Sequence, residues 1–190
     1  MTAAHEVLYL HGLESGPRGS KGSWLTEHYG AHAVDLDTSH ARASSATAKA
    51  KGLPWDHSWP DIEEDFRVPL ERARAAIRPE TRLIVGSSFG GAVLTRLLAE
   101  GSWAGPSLLI ASAGLKLTGS DRLPEGVPVL LLHGREDDVV PLEQARRIAT
   151  FAGLSVMLWE IGDGHRMKSI MPSGILRLAV DWLLEDAAQY

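Results

Sequence analysis

The chain has 190 residues, no cysteine, and 19 Lys+Arg against 24 Asp+Glu, a formal net charge of −5 with its 8 histidines neutral. Hydrophobic residues make up 44% and charged ones 23%, the balance of a globular protein able to bury a sizeable core within one domain spanning residues 1–190. The lack of Cys excludes disulfide frameworks, thiolate zinc sites, iron–sulfur clusters and a cysteine nucleophile, and the acidic balance argues against a nucleic-acid partner.

From the N-terminus, Met1-Thr2-Ala3-Ala4-His5-Glu6 carries no basic stretch ahead of an apolar one, so no signal peptide and a cytoplasmic location are expected. A first β-rich run, Val7–Leu10, is followed by a Gly-Pro turn and a helical stretch over Lys21–Tyr29. Ala33–Leu36 is the second run. Asp37–Trp59, rich in Ser, Ala and Lys, resists assignment. Helical spacing resumes at Pro60–Ile77, which opens on Asp and Glu, as suits the positive end of a helix dipole. It places Ile62, Phe66, Leu70, Ala73 and Ile77 on one face. Leu83–Val85 and the helix Phe89–Ala99 come next, then the run Ser107–Ala111 and a second unassigned stretch, Ser112–Gly126. The chain closes with the run Val129–Leu132, the helix Leu142–Phe151, the run Val156–Ile161 and the helix Ser173–Leu184, whose stripe is Ile175, Leu178, Ala179 and Trp182. The longest apolar runs fall far short of the ~20 residues that a spanning helix needs.

Continuously apolar short runs alternating with helices predict an α/β protein: a mostly parallel sheet of about six strands between two helical layers. Any site belongs at the carboxyl ends of the strands. Both unassigned stretches follow strand ends, which makes them candidate walls of a pocket.

Three segments carry chemistry. Leu83-Ile84-Val85-Gly86-Ser87-Ser88-Phe89-Gly90-Gly91-Ala92 is a β-branched run ending in Gly-x-Ser-x-Gly and passing into a helix, the context of a nucleophile elbow. A serine on so sharp a turn needs glycine two positions before and two after. Gly86 and Gly90 flank Ser88 in that way, whereas Val85 and Phe89 flank Ser87, so Ser88 is the candidate nucleophile. The run Val129–Leu132 leads into His133-Gly134-Arg135-Glu136-Asp137-Asp138, an acidic turn just past a strand end, where a carboxylate is well placed to hold an imidazole. His165 lies just beyond the last run, in Gly162-Asp163-Gly164-His165. The order Ser, acid, His is that of α/β hydrolytic enzymes and not of the chymotrypsin or subtilisin types.

On these motifs, together with His11-Gly12-Leu13-Glu14-Ser15-Gly16-Pro17 and Lys21, the chain resembles the α/β-hydrolase superfamily, in particular its small serine esterases and thioesterases without a large lid. The resemblance implies Ser88 as nucleophile, His165 as base and Asp137 as acid. The family's His-Gly-x-x-Asp spacing selects Asp137 over Asp138. It implies an oxyanion hole from the backbone N–H groups of Leu13 and Phe89. The chain departs from the family pattern in starting at the equivalent of its third strand and in having no long insertion between Val85 and Val129 for a large cap, so a shallow, open pocket is expected. Trp55 and Trp59 are candidates to line that pocket with Leu13 and Phe89. His11 and His133 are expected to brace loops, and Lys21 to cap or pair locally. The function expected is hydrolysis of small carboxylic esters or thioesters through an acyl-enzyme, with no cofactor, no metal and a small-molecule partner. The same residues would serve a peptidase, lactonase or acyltransferase, and a non-catalytic binding module is the rival of a different class.

Overall fold

Along β1 (Val7–Leu10) the side chains part to opposite faces. Leu8 and Leu10 enter one apolar cluster, Val7 and Tyr9 another, as the two-residue period of a strand demands. The same division recurs in β3 (Leu83–Ser87), β4 (Ser107–Ile110) and β5 (Val129–Gly134). There Ile84, Leu109, Val129 and Leu131 face one side, and Leu83, Val85, Leu108, Ile110, Leu130 and Leu132 the other. Both clusters are covered by helices, so these four strands are buried throughout.

The computed structural model describes residues 6–53, 62–114, 117, 123–151 and 155–185. Adding β2 (His32–Val34) and β6 (Val156–Ile161) completes a 6-stranded sheet in the order β2-β1-β3-β4-β5-β6, every pairing parallel. Helices α3 (Ile62–Ala76), α4 (Phe89–Ala99) and α5 (Leu142–Phe151) send Phe66, Leu70, Leu94, Leu97 and Ile148 into the first cluster. From α1 (Ser20–Tyr29) and α6 (Ile175–Glu185) come Leu25, Leu176, Val180 and Leu183 for the second. The three-layer α/β/α architecture expected from the sequence is therefore the one formed. The chain leaves β1 toward β2 on one side and returns through β3 to build outward on the other. The β1–β3 boundary is thus a topological switch point, where a crevice opens at the strands' carboxyl ends. Among the described residues no helix is long and apolar enough to cross a membrane.

Two departures from the expected elements have physical causes. The run Ala33–Leu36 pairs only over His32–Val34, because Leu36 turns inward, fully buried, and its N–H donates to Nε2 of His11 at 3.2 Å. Residues Ser39–Ala50 of the unassigned stretch form a helix, α2. Its buried face consists of Ala41 and Ala48 alone, two turns apart, so the helical period is written in methyl groups that no apolar stripe reveals. Alanine's intrinsic preference favours the helix. Asp65 of α3 anchors it, accepting from His40 Nδ1 at 2.6 Å and Ser44 Oγ at 2.8 Å, side chains one turn apart.

Phe66 joins the helices above the crevice. It is fully buried, its ring centroid lies 4.9 Å from that of Phe89, and the guanidinium of Arg96 sits 4.5 Å above it. Phe66→Ala should cost about 3–5 kcal/mol, read as a lowered urea midpoint with an unchanged m-value.

Candidate active site

Ser88 sits between the end of β3 and the start of α4 with φ 53° and ψ −114°, a region that non-glycine residues rarely occupy. The turn that imposes this is packed to the limit. A Cβ on Gly90 would lie 2.1 Å from the carbonyl oxygen of Leu10, and one on Gly86 2.6 Å from that of Gly90. Only glycine at both positions lets α4 begin directly against β1 and β3. Ser88 N–H donates to Ile110 O at 2.9 Å, and Ser88 O accepts from Ala92 N at 3.1 Å and Ala113 N at 3.1 Å, so the strained residue is held on both sides. Its Oγ lies 2.9 Å from Nε2 of His165.

His165 reaches Ser88 because two loops are laced together. Beyond β5 and β6, Arg135 N–H donates to Ile161 O at 2.8 Å and Glu136 N–H to Asp163 O at 3.1 Å. The approach is close enough that a Cβ on Gly134 would stand 2.2 Å from Asp163 O. Nδ1 of His165 then lies 2.9 Å and 3.1 Å from Oδ2 and Oδ1 of Asp137. With a carboxylate as the acceptor, Nδ1 carries the proton and Nε2 is left to accept from the Ser88 hydroxyl.

Asp137 is wholly buried at its side chain yet well supplied with donors. Oδ1 accepts from Val139 N–H at 2.9 Å and Val140 N–H at 2.7 Å. Oδ2 is approached by Nε2 of His133 at 3.3 Å, which also donates to Val140 O at 2.8 Å. Burial pushes the Asp137 carboxyl up, but donation from His133, His165 and Val140 outweighs it and holds the group well below the usual carboxylate range. The neighbouring Asp138 has no such set of donors among the described residues.

The loop after β1 forms the opposite side of Ser88. A Cβ on Gly12 would lie 3.4 Å from Cβ of Ser88. The Gly12 carbonyl accepts from His11 Nδ1 at 2.9 Å, Ser15 N–H at 3.2 Å and Ser15 Oγ at 3.3 Å. In a trans peptide those three donors on one side turn the Leu13 N–H to the other. The Leu13 carbonyl is clamped in turn by Arg42 Nε at 2.6 Å and Thr38 Oγ1 at 3.1 Å, with Arg42 Nη2 on Ser15 O at 2.7 Å. Phe89 opens α4, so its amide stands at the positive end of that helix's dipole. Its side chain is buried against Phe66, and Phe89 also borders the cavity.

Ser88, His165, Gly12, Leu13 and Phe89 all line one cavity of about 570 Å³, within the usual size of a small-molecule site. Ser45 of α2 and Ala113 and Leu117 after β4 supply further wall, drawn from the two stretches that the sequence left unassigned. Trp55 and Trp59 lie outside the described residues. No group of three or more His, Asp or Glu is gathered as a metal ligand set among the described residues.

Two contributors escape sequence reasoning. Arg42 acts across 29 residues on the loop of Leu13, and nothing in its Ala/Ser-rich surroundings marks it. Lys21, expected to cap or pair locally, instead donates from Nζ to the backbone carbonyl of Arg166, 145 residues away, at 2.7 Å. It thereby holds the peptide just after His165. Burial lowers the Lys21 ammonium to about 8, against the field of Asp163, which acts to raise it.

No family model matches the chain, and no curated protein does. Solved structures match it over nearly its whole length. One described as a hydrolase of the alpha/beta superfamily from Xanthomonas campestris pv. campestris is 22% identical with a TM-score of 0.63, covering 93% of this chain and 97% of that one. Alpha/beta hydrolase domain-containing protein 10 from mouse is 17% identical with a TM-score of 0.67, covering 95% and 89%. Est1E from Butyrivibrio proteoclasticus is 12% identical with a TM-score of 0.62, covering 98% and 90%. At these identities the likeness is one of architecture: the chain has the α/β-hydrolase fold, with six strands among the described residues.

Because the Lys21 ammonium is depressed in the folded chain, the unfolded chain binds more protons between pH 8 and its ordinary pKa near 10.4. Stability from this group therefore rises with pH across that window. In Lys21→Met the gain in unfolding free energy between pH 7.5 and 9.5 should be smaller than in the unaltered chain, measured by denaturant titration at both pH values.

Proposed function

We propose that the protein is a serine hydrolase cleaving carboxylic esters or thioesters of small acyl substrates, with Ser88 as nucleophile, His165 as general base and Asp137 as the acid that orients it. The observation that carries the reading is the unbroken contact series Ser88 Oγ, His165 and Asp137, at 2.9 Å on either side of the imidazole. A hydroxyl is a poor nucleophile unless a base takes its proton as it attacks. Nε2 of His165 stands ready for that proton, and the buried Asp137 carboxylate stabilises the imidazolium that results.

Attack on the carbonyl carbon leaves negative charge on the carbonyl oxygen. The Leu13 and Phe89 N–H groups, on the two sides of Ser88, are the donors assigned to it. Each such donor is worth about 3 kcal/mol of transition-state stabilisation. His165 then returns its proton to the departing alkoxide or thiolate, leaving an acyl group on Ser88 Oγ. Water, deprotonated by the same nitrogen, releases the acid. The cytoplasmic location expected from the sequence is consistent with this chemistry and belongs to the same proposal.

Ser88→Ala should lower kcat for p-nitrophenyl acetate by at least about 10³-fold and abolish covalent labelling by a fluorophosphonate. Labelling at another residue, or unchanged turnover, would remove the nucleophile. Arg42→Gln leaves the Ser88–His165–Asp137 series intact and unclamps the Leu13 loop. It should reduce kcat about 10-fold or more while fluorophosphonate labelling of Ser88 persists, measured on the same ester.

A further inference from the structure

The cavity beside Ser88 has a positive wall that the hydrolytic steps do not use. Lys21 is 9% exposed and lines the cavity, yet among the described residues it has one hydrogen-bond acceptor, the Arg166 carbonyl, for three N–H donors. No carboxylate lies within ion-pair distance of it among the described residues. Asp163, the acid whose field it feels, spends Oδ1 on Gly164 N–H at 2.8 Å and Oδ2 on Ser169 N–H at 2.7 Å. A buried ammonium in that condition is costly unless something anionic arrives.

Two more cations line the same cavity. Met167, with φ 46°, is fully buried in the core below the sheet. The residues on either side of it, Arg166 and Lys168, are exposed and border the cavity immediately after His165. Neither has a carboxylate partner among the described residues. Against the three cations stands one acid in the described lining, Glu14. In a chain of net charge −5, this local excess runs opposite to the composition.

We propose that the ester taken by this site carries an anionic group, carboxylate or phosphate, which Lys21, Arg166 and Lys168 receive on the cavity wall beside Ser88. The inference deepens the serine-hydrolase reading and rests on it. Cations focused in a cleft raise both capture and retention of an oppositely charged substrate, the more so at low ionic strength.

Matched esters test it. Phenyl acetate is compared with 4-(carboxymethyl)phenyl acetate and 4-(phosphonomethyl)phenyl acetate, where a methylene insulates the leaving group from the charge. Phenyl butyrate is compared with monophenyl glutarate, which puts the charge on the acyl side. At least one anionic ester should show kcat/KM about 10-fold above its neutral counterpart in dilute buffer, the advantage shrinking in 0.5 M NaCl. The carboxylate and phosphonate arms separate the two anions. Arg166→Gln with Lys168→Gln should bring the ratio toward one, and Lys21→Met should lower it. Ratios of one or below for every pair overturn the inference, as does a preference that all these variants retain. In either case fluorophosphonate labelling of Ser88 and turnover of phenyl acetate leave the hydrolase reading standing. Absence of both would remove that reading itself.

Discussion

The contact on which the site depends is the one between the turn after β5 and the loop after β6. These strands are neighbours at one margin of the sheet, and each carries one member of the imidazole–carboxylate pair. Register alone would leave both loops free to splay into solvent. Gly134 prevents this by admitting the Asp163 backbone to a distance that any side chain would forbid, and two backbone hydrogen bonds lock the approach. Once the loops are joined, Asp137 is sealed from water and must be satisfied internally. Val139, Val140, His133 and His165 do so together. The orientation of His165 is thus a by-product of satisfying a buried carboxylate, a demand worth more than any single surface contact.

The opposite half of the crevice is built by a different device. There the backbone is forced: Ser88 is held at positive φ because glycines let β1, β3 and α4 crowd together, and the Gly12–Leu13 peptide is turned by donors gathered on its carbonyl. One half of the site is therefore organised by close approach and strain, the other by satisfaction of a charge. Lys21 links them, running from α1 across the crevice to the peptide after His165.

The fold was legible because its four central strands are buried on both faces and α3 carries a wide apolar stripe. On α6 the stripe read from the sequence is displaced, since Leu178 is 61% exposed while Leu176, Val180 and Leu183 are buried beside Ala179. The three residues of the contact series were legible because each stands at the end of a separate apolar run, and their types are those the chemistry needs. Helix α2 was not, since an alanine face gives no hydrophobic contrast. The reach of Arg42 and Lys21 was hidden for another reason. Both act on backbone carbonyls, and a carbonyl carries no residue identity for a sequence pattern to match. His11 and His133 brace loops as expected, though His133 also touches the carboxylate it supports. Phe89 shows a further limit: its position beside Ser88 was evident, while the burial of its ring against Phe66 depends on a helix packed from elsewhere in the chain.

The outermost strand among the described residues, β6, pairs there with β5 alone and is only partly covered, with Met157 40% exposed. Such margins are where native proteins fray first, and parallel pairings between distant segments are slow to form. The hydroxyl of Ser88 and the imidazole of His165 are separated by 77 residues and meet only when that margin is docked. A chain with the central strands assembled and β6 adrift would carry the serine on its bent turn without the imidazole that stands 2.9 Å from its hydroxyl. On the proposed reading, reactivity at Ser88 would report, in a single number, whether the last strand has come home.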